Sequence, residues 1–376
     1  MAHAPGNRLA IALSGVGIIA ALGAHAGFAD PPHAGADKPP AAAEPAPAKT
    51  PFVEAHAHFD AADPQGSVRA ALAALPRQNA VMVLFQIPPD TFDHPGHHDA
   101  EVVLAEAKKS QGRIGVLGGG GTLNAMIIQS AATGDAGPAV QKKFKERAEE
   151  LLREGAIGFG EMTAEHYSGI TPYQYAPADH PLYLLLADIA AAHGVPIDLH
   201  MEAVPEDMAL PAGVKSPPNP PKLHANIAAF ERLLAHNPRA RIIWAHAGAD
   251  GTGQRTPELC RRLLRAHPNL TMEIKTDPRA LGMNYPLADG KIKPEWLALF
   301  TEFSDRFIVG SDQHYPEPEG RDAAPQRWQE VVRLVDQLPE DVRRKIGTEN
   351  AARLYAPVAK QVSAAKHETP ERRRTP

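Results

Sequence analysis

The sequence predicts an α/β protein whose main domain is a (β/α)8, or TIM, barrel. Between residues 51 and 357, short apolar segments rich in Val, Ile and Leu alternate with longer amphipathic segments. Eight of the short segments have strand character, which is the number that such a barrel requires. An open doubly wound sheet is the structural alternative, but no G-x-G-x-x-G motif follows the first strand to favour a dinucleotide-binding fold.

The eight predicted strands are apolar along most of their length, as expected for a parallel sheet that helices cover. They are FVEAHAHF (52–59), AVMVLFQI (80–87), RIGVLGGG (113–120), AIGFGEM (156–162), VPIDLHM (195–201), RIIWAHAG (241–248), LTMEIKT (270–276) and RFIVGSDQH (306–314).

The predicted helices follow strands and carry apolar residues at helical spacing. They include QKKFKERAEELLREG (141–155), PLYLLLADIAAAHG (181–194), NIAAFERLLAHNP (226–238), TPELCRRLLRAHP (256–268) and, after the last strand, PEDVRRKIGTENAARLYAP (339–357).

Both ends of the chain differ in composition from the barrel region. Residues 1–29 contain Arg8, then an apolar run, then small residues, which is the pattern of a secretory signal peptide. The Ala/Pro-rich residues 30–50 predict an extended linker, and the basic residues 358–376 predict a disordered tail. We therefore expect an exported protein, periplasmic or secreted, with no transmembrane span in its mature form.

The net charge and the cysteine count limit the binding partners and the disulfide bonds that we expect. The 376 residues carry a formal net charge of -5, and the sequence pI is about 6.4. Neither value favours nucleic acid or an anionic membrane surface as a partner. Cys260 is the one cysteine, so no disulfide can form within the chain. A small-molecule substrate is the expected partner, and homo-oligomerisation stays open.

Histidine and acidic residues stand at the carboxyl ends of five predicted strands, where barrel enzymes place their sites. His56 and His58 are one residue apart on the first strand, so their side chains are expected on one face. The remaining residues end strands four, five, six and eight, and are Glu161, His200, His246 and Asp312. One H-x-H arises often by chance, but six such groups at matching strand ends predict a divalent-metal site, because one ion satisfies several buried polar groups.

These motifs make the chain similar to the amidohydrolase superfamily, and more narrowly to its amidohydrolase-related (amidohydrolase 2) branch of metal-dependent hydrolases. The resemblance rests on H-x-H at 56–58, DLHM at 198–201, WAHAG at 244–248, GSDQ at 310–313 and IGTENAARLY at 346–355. It covers the region from 51 to 357, and it is more specific for the superfamily than for a substrate.

The resemblance implies roles for the residues at the strand ends. His56 and His58 would bind the metal, with Asp312 as a further ligand and as the base that takes a proton from water. His200 would bind a second metal or complete the shell of a single one. His246 would bind the second metal or polarise the substrate.

Glu161 departs from the carboxylated lysine that many binuclear members use on this strand. It resembles instead the metal-binding glutamate of the metal-dependent deoxyribonuclease branch, so one or two ions are expected. Zinc is expected first, with manganese, iron or nickel as alternatives, because mixed nitrogen and oxygen ligands suit all four.

The chemistry that this resemblance implies is hydrolysis, because such an ion lowers the pKa of bound water from 15.7 towards about 7. We expect an exported hydrolase that acts on an ester, lactone, amide or phosphoester bond. One alternative is a decarboxylase of the same branch, which would attack a C–C bond of an aromatic acid. Another, from a different class, is a non-catalytic barrel that binds a metal or a ligand.

Three further features near the strand ends have expected roles in or beside the site. Lys275 ends strand seven and would either bind a substrate anion or pair with a site carboxylate. Glu54 and Asp198 lie two residues before predicted ligands, on the same expected faces, and would hydrogen-bond the histidines. GGGGT (118–122) lacks the G-K-[ST] of a phosphate loop and predicts a turn that loop or substrate approaches closely.

Two predicted loops at the same end of the barrel contain further histidines. DHPGHHD (93–99) is interpreted as a solvated loop, with a second metal site as the alternative. In TAEHYSG (163–169), His166 or Tyr167 is a candidate for substrate contact.

Overall fold

The computed structural model describes residues 47–89, 98–167, 173–276, 284–317 and 327–368. These ranges belong to one compact unit that spans Pro45–Pro376. The predicted signal peptide, most of the predicted linker and residues 93–97 of the histidine-rich loop lie outside the described residues.

The strands of the described ranges include all eight predicted ones and several short additional pieces. Their bounds are β1 (Phe52–Phe59), β2 (Ala80–Gln86), β3 (Ile114–Gly119), β4 (Phe159–His166), β5 (Gln174–Tyr175), β6 (Pro196–Met201), β7 (Met208–Ala209), β8 (Lys222–Leu223), β9 (Arg241–Ala247), β10 (Leu270–Ile274), β11 (Leu287–Ala288), β12 (Lys291–Ile292), β13 (Phe307–Val309) and β14 (Gln313–Tyr315).

Helices follow most of the longer strands. Their bounds are α1 (Pro64–Gln78), α2 (Glu101–Lys108), α3 (Leu123–Thr133), α4 (Pro138–Glu154), α5 (Pro181–His193), α6 (Ile227–His236), α7 (Pro257–Ala266), α8 (Pro294–Glu302), α9 (Arg327–Val335), α10 (Glu340–Arg344), α11 (Asn350–Leu354) and α12 (Ala356–Glu368). A π-helical turn, Lys345–Glu349, joins α10 to α11. Several helices begin with proline, whose fixed φ suits the first helical position and whose missing N–H has no intrahelical partner there. No helix of the described residues is both long and apolar enough to cross a membrane.

The main sheet is curled and mostly parallel. Its hydrogen-bonded order is β13-β10-β9-β6-β4-β3-β2-β1-β14, and β5 pairs antiparallel with β4. The two ends of this order, β13 and β14, are consecutive in the chain and are separated by residues 310–312. The structure is therefore an α/β, TIM-barrel-like fold, in which the hydrogen-bonded ladder is open between β13 and β14.

The eighth predicted strand is interrupted rather than continuous. Gly310 N–H donates to Ile274 O on one side, and Asp312 N–H donates to His56 O on the other. The break thus changes the strand's partner from β10 to β1, and it lies at the predicted site residue Asp312.

The chain after the last predicted helix differs from the predicted disordered tail. Residues 356–368 form α12, and Val358 and Val362 lie one helical turn apart and are buried. They pack in a cluster with Leu84 and Ile308 of the sheet, so burial of this apolar stripe stabilises the helix. The structure thus has helix at residues 358–368, where the sequence predicts a disordered tail, and residues 369–376 lie outside the described part of the chain.

The end of the predicted linker also belongs to the folded unit. Ala48 N–H donates to Gln78 O, and Asn79 Nδ2 donates to Ala48 O at 2.9 Å. Lys49 N–H donates to the Asp336 carboxylate at 3.1 Å. The backbones of Ala48 and Lys49 therefore hydrogen-bond to the folded unit.

The glycine run after β3 allows two backbones to approach it. A Cβ on Gly120 would lie 1.9 Å from Ile87 O, and one on Gly121 would lie 1.6 Å from His98 O. The glycine run is therefore closely approached, as predicted, and the segment that approaches it is the chain that follows β2.

Candidate metal centre

The six residues that the sequence singled out lie together at one end of the curled sheet. His56 and His58 come from β1, Glu161 from β4, His200 from β6, His246 from β9 and Asp312 from the break between β13 and β14. Parallel strands bring their carboxyl ends to one edge, which explains why residues far apart in sequence meet here.

Each histidine of β1 is held by one ring nitrogen and presents the other to the centre. His56 Nδ1 lies 2.8 Å from Glu273 Oε2, and His58 Nδ1 lies 3.2 Å from Gln86 O. The opposite Nε2 atoms lie 3.5 and 3.6 Å from Oε2 of Glu161. This arrangement fixes ring orientation from outside and leaves a nitrogen on each ring facing inward.

The Glu161 carboxylate divides its two oxygens between two groups of histidines. Oε2 faces His56 and His58, as described above. Oε1 lies 2.7 Å from His200 Nδ1 and 3.1 Å from His246 Nε2. A single carboxylate therefore connects the two halves of the centre.

Asp312 is bound on both of its oxygens. Oδ1 lies 2.9 Å from His58 Nε2, and Oδ2 accepts from Lys275 Nζ at 2.6 Å and from the guanidinium of Arg327. Of the two interpretations of Lys275, the structure shows the pairing with a site carboxylate.

The charges around the centre shift pKa values in opposite directions. Burial raises the pKa of Asp312, but Lys275, His58 and Arg327 outweigh it and hold that pKa well below its usual range. Burial lowers the pKa of His200, but hydrogen bonds to Glu161 and Glu202 outweigh it and raise it to about 9.

The surroundings of His246 favour its neutral form. Burial lowers its pKa well below the usual value, and the nearby cation of Lys275 lowers it further. A neutral imidazole has a free lone pair, which is the form that binds a metal.

Two site residues have left-handed backbone conformations without being glycine. His246 has φ 68° and Asp312 has φ 59°. Such conformations are uncommon for these residue types and concentrate at functional sites, where the surrounding structure enforces them.

The structure also assigns neighbours that the sequence analysis missed. Glu273, on β10, holds His56, and Glu202 lies 3.3 Å from His200 Nε2. A lone glutamate inside the apolar LTMEIKT and a glutamate two residues after His200 were the available signals. No sequence signal identified Arg327, because it begins α9 and does not stand at the end of a predicted strand.

The expected role of Glu54 is wrong. Its carboxylate accepts from the backbone N–H of His56 and from Ser311, not from a histidine ring. A register shift between Glu54 and Ala57 interrupts the simple alternation of faces along β1, so the two-residue spacing no longer implies a shared face. Asp198 Oδ1 lies 3.8 Å from His56 Nδ1, which is too long for a hydrogen bond, and its Oδ2 accepts from Gln86 Nε2 at 2.7 Å instead.

His166, a candidate for substrate contact, lies beside the centre. Its Nδ1 is 3.1 Å from His200 Nε2 and 3.8 Å from Glu202 Oε1. Its side chain is 26% exposed, whereas His56 is fully buried. Tyr167 is buried, and its hydroxyl has no hydrogen-bond partner among the described residues.

The donor set fits a divalent metal. His56, His58 and Asp312 place ligand atoms within 4.8 Å of one another, and so do His56, Glu161 and His246. The buried Nε2 of His56 has no hydrogen-bond partner in the described part of the chain. A buried, inward-facing nitrogen without a partner is costly unless it binds something, and imidazole with carboxylate is a common ligand set for divalent transition metals.

Fold and site together define an enzyme of the metal-dependent hydrolase class. The chain belongs to the amidohydrolase family, whose sequence model matches residues 21–356. The match confirms the resemblance inferred from the motifs, and it begins earlier in the chain than the predicted barrel. No curated protein sequence matches the chain.

Solved structures with related architecture include hydrolases and a decarboxylase. A probable 2-pyrone-4,6-dicarboxylic acid hydrolase from Acinetobacter baumannii is 12% identical, with a TM-score of 0.49 over 81% of this chain and 99% of that one. A mutant organophosphorus hydrolase is 19% identical, with a TM-score of 0.47 over 81% and 92%. A 2,6-dihydroxybenzoate decarboxylase complexed with 2,6-dihydroxybenzoate is 14% identical, with a TM-score of 0.41 over 82% and 99%. At these identities and scores, none of them indicates a reaction for this chain.

Proposed function

We propose that the protein is an exported hydrolase that uses metal-activated water on an ester, lactone, amide or phosphoester bond. The observation that supports this best is the division of Glu161 between two groups of histidines, at 3.5 and 3.6 Å on one oxygen and 2.7 and 3.1 Å on the other. A bridging carboxylate of this kind suits two ions, and we propose zinc as the metal. We also propose that β13 and β14 form one interrupted strand that closes a (β/α)8 barrel.

The residues have separate roles in this proposal. His56, His58 and Asp312 would hold one ion, and His200 and His246 a second, with Glu161 between them. Divalent metal supplies Lewis acidity, which acidifies water and polarises a carbonyl or phosphoryl oxygen.

Asp312 is the proposed proton acceptor. Lys275 and Arg327 lie against its Oδ2 and keep the carboxylate ionised, as a base must be. Its Oδ1 faces His58 and the centre, so Oδ1 would serve both the metal and the proton, because Oδ2 already accepts from the two cations.

The test combines metal analysis with a hydrolase substrate panel on the purified protein. Asp312→Asn keeps the shape but removes the charge and the proton acceptor, so we expect kcat to fall by at least about 10²-fold with metal partly retained. Asp289→Asn is the matched control, because Asp289 also has a positive φ, 49°, but is exposed and remote from the centre in sequence.

Three results would contradict the proposal in different ways. A folded, metal-loaded and fully active Asp312→Asn enzyme would remove Asp312 as the base. Release of carbon dioxide from an aromatic acid would identify a decarboxylase instead. Stoichiometric metal without turnover on any substrate of the panel would favour a binding protein.

A further inference from the structure

Two cations share one carboxylate oxygen at the edge of the centre. Lys275 Nζ and Arg327 both contact Oδ2 of Asp312, whose other oxygen faces His58. Within the described residues, neither cation pairs with any other carboxylate. One carboxylate oxygen therefore accepts from two cations.

The charge balance of this group is positive. Lys275 and Arg327 contribute two positive charges, and Asp312 contributes one negative charge. If Asp312 also binds a metal ion, its charge is shared with that ion and the excess increases. An anion bound at the two cations would offset this positive charge.

The two cations are partly exposed. Their side chains are 14% and 25% exposed, whereas His56 is 0% and Glu161 6% exposed, and His200, at 14%, is as exposed as Lys275. A ligand at the exposed edge of the centre can therefore contact Lys275 and Arg327.

The guanidinium of Arg327 still has donors to offer. One terminal nitrogen donates to the carbonyl and the carboxylate of Asp312, while Nε and the other terminal nitrogen donate to no described residue. An Arg fork matches the two oxygens of a carboxylate, and the ammonium of Lys275 adds a second charge without a directional requirement.

We propose that the substrate carries a carboxylate group, which Lys275 and Arg327 bind while the bond to be cleaved lies at the metal centre. This inference rests on the proposed hydrolase function and narrows its substrate class. A carboxylate fits this pair because its two oxygens match the Arg fork and its negative charge offsets part of the positive charge of the cations.

The first test compares a charged and an uncharged ester of the same shape on the metal-loaded enzyme. The probes are 4-acetoxybenzoate and methyl 4-acetoxybenzoate. The wild type should prefer the acid, and Lys275→Met and Arg327→Met should each reduce this preference in kcat/KM by about 10-fold or more, mainly through KM. Loss of the partner of Asp312 affects both esters alike, so the ratio isolates carboxylate binding.

The second test measures binding without turnover. Isothermal titration calorimetry compares benzoate with benzamide on wild type and both variants, with metal content determined on the same samples. We expect benzoate to bind the wild type at least about 10-fold more tightly than benzamide, and both variants to lose that difference. Lys291→Met and Arg333→Met, at exposed positions, are the controls and should keep it.

The two proposals fail in distinguishable ways. If no ester is cleaved but benzoate is preferred through Lys275 and Arg327, the hydrolase proposal fails and the carboxylate site stands. If the wild type binds benzoate no better than benzamide, or if both variants retain the preference, the carboxylate site is refuted whatever the enzyme hydrolyses.

Discussion

Glu161 is the residue on which the metal count depends, because each of its oxygens faces a different pair of histidines. Burial raises the pKa of its carboxyl, but His56, His200 and His246 outweigh burial and hold that pKa well below its usual value. The carboxylate is therefore ionised and able to serve as a ligand on both sides.

Replacing Glu161 with Gln should remove one of two ions. The amide keeps the size but loses the charge and one of the two ligand oxygens, so it no longer bridges. Elemental analysis at metal saturation should give about two ions per chain in the wild type and about one in the variant. Glu165→Gln is the control on the same strand, because that buried carboxylate contacts Tyr173 and Asn226 instead. One ion in both wild type and Glu161→Gln would refute the binuclear centre.

Glu273 would act on a bound metal through His56. Its carboxylate fixes the imidazole and accepts from Nδ1, which makes Nε2 a better ligand. Glu273→Gln should therefore weaken metal affinity by about 10–100-fold, measured by competition with a chelator. Glu295→Gln, at an exposed position on α8, should leave the affinity unchanged. Unaltered affinity in Glu273→Gln would mean that the contact does not support the ligand.

The sequence predicted the residues that contribute ligand-type atoms, but it predicted their supporting contacts poorly. His56, His58 and Asp312 were identifiable because each is a polar residue at the end of an apolar strand. Arg327 was not, since its position depends on how α9 packs. Glu54 was misassigned because β1 has a one-residue irregularity between Glu54 and Ala57, which turns the side chain of Glu54 to the opposite face of the strand from the histidines. The hydrophobic pattern of the sequence does not show such a shift.

At the scale of the elements, the order of the strands in the sheet brings the site residues together. The predicted strands were found because buried parallel strands have a strong apolar signal. The two-residue pieces such as β7 and β8 were missed, because two residues carry no periodicity. The break in strand eight was also missed, since its apolar half and its polar half read as one run.

The glycine run after β3 should tolerate no side chain at its closest point. Gly121→Ala would place a Cβ 1.6 Å from the backbone oxygen of His98. A backbone oxygen cannot move aside by a change of rotamer, as a side-chain atom can. We expect a loss of about 1–3 kcal/mol in the free energy of unfolding, measured by chemical denaturation. Gly137→Ala is the control, because there the Cβ would meet only the flexible Asp135 carboxylate at 3.2 Å. Equal stability of the two variants would show that the close approach is not maintained in solution.

At the scale of the whole molecule, the folded unit and the segment proposed for export are separable. The unit begins at Pro45, whereas the signal-like pattern ends near Asp30. A-x-A at 24–26 and Ala29 offer two cleavage points, and both lie before the first described residue. Cleavage at either point leaves every described contact intact.

Two shortened chains therefore separate removal of the leader from damage to the fold. A chain that starts at Asp30 should have the same free energy of unfolding as the full chain. A chain that starts at Phe52 should lose about 2–4 kcal/mol in the free energy of unfolding. Residues 48–50 make hydrogen bonds to the folded unit, including one from Arg343 Nε to Thr50 Oγ at 2.6 Å, and each such bond is worth about 1 kcal/mol.

Mass spectrometry of protein from the native host should find a mature terminus near Gly27 or Asp30. An intact Met1 or Ala2 terminus would refute export by this route, and a fully stable chain from Phe52 would show that residues 48–50 are part of the linker after all.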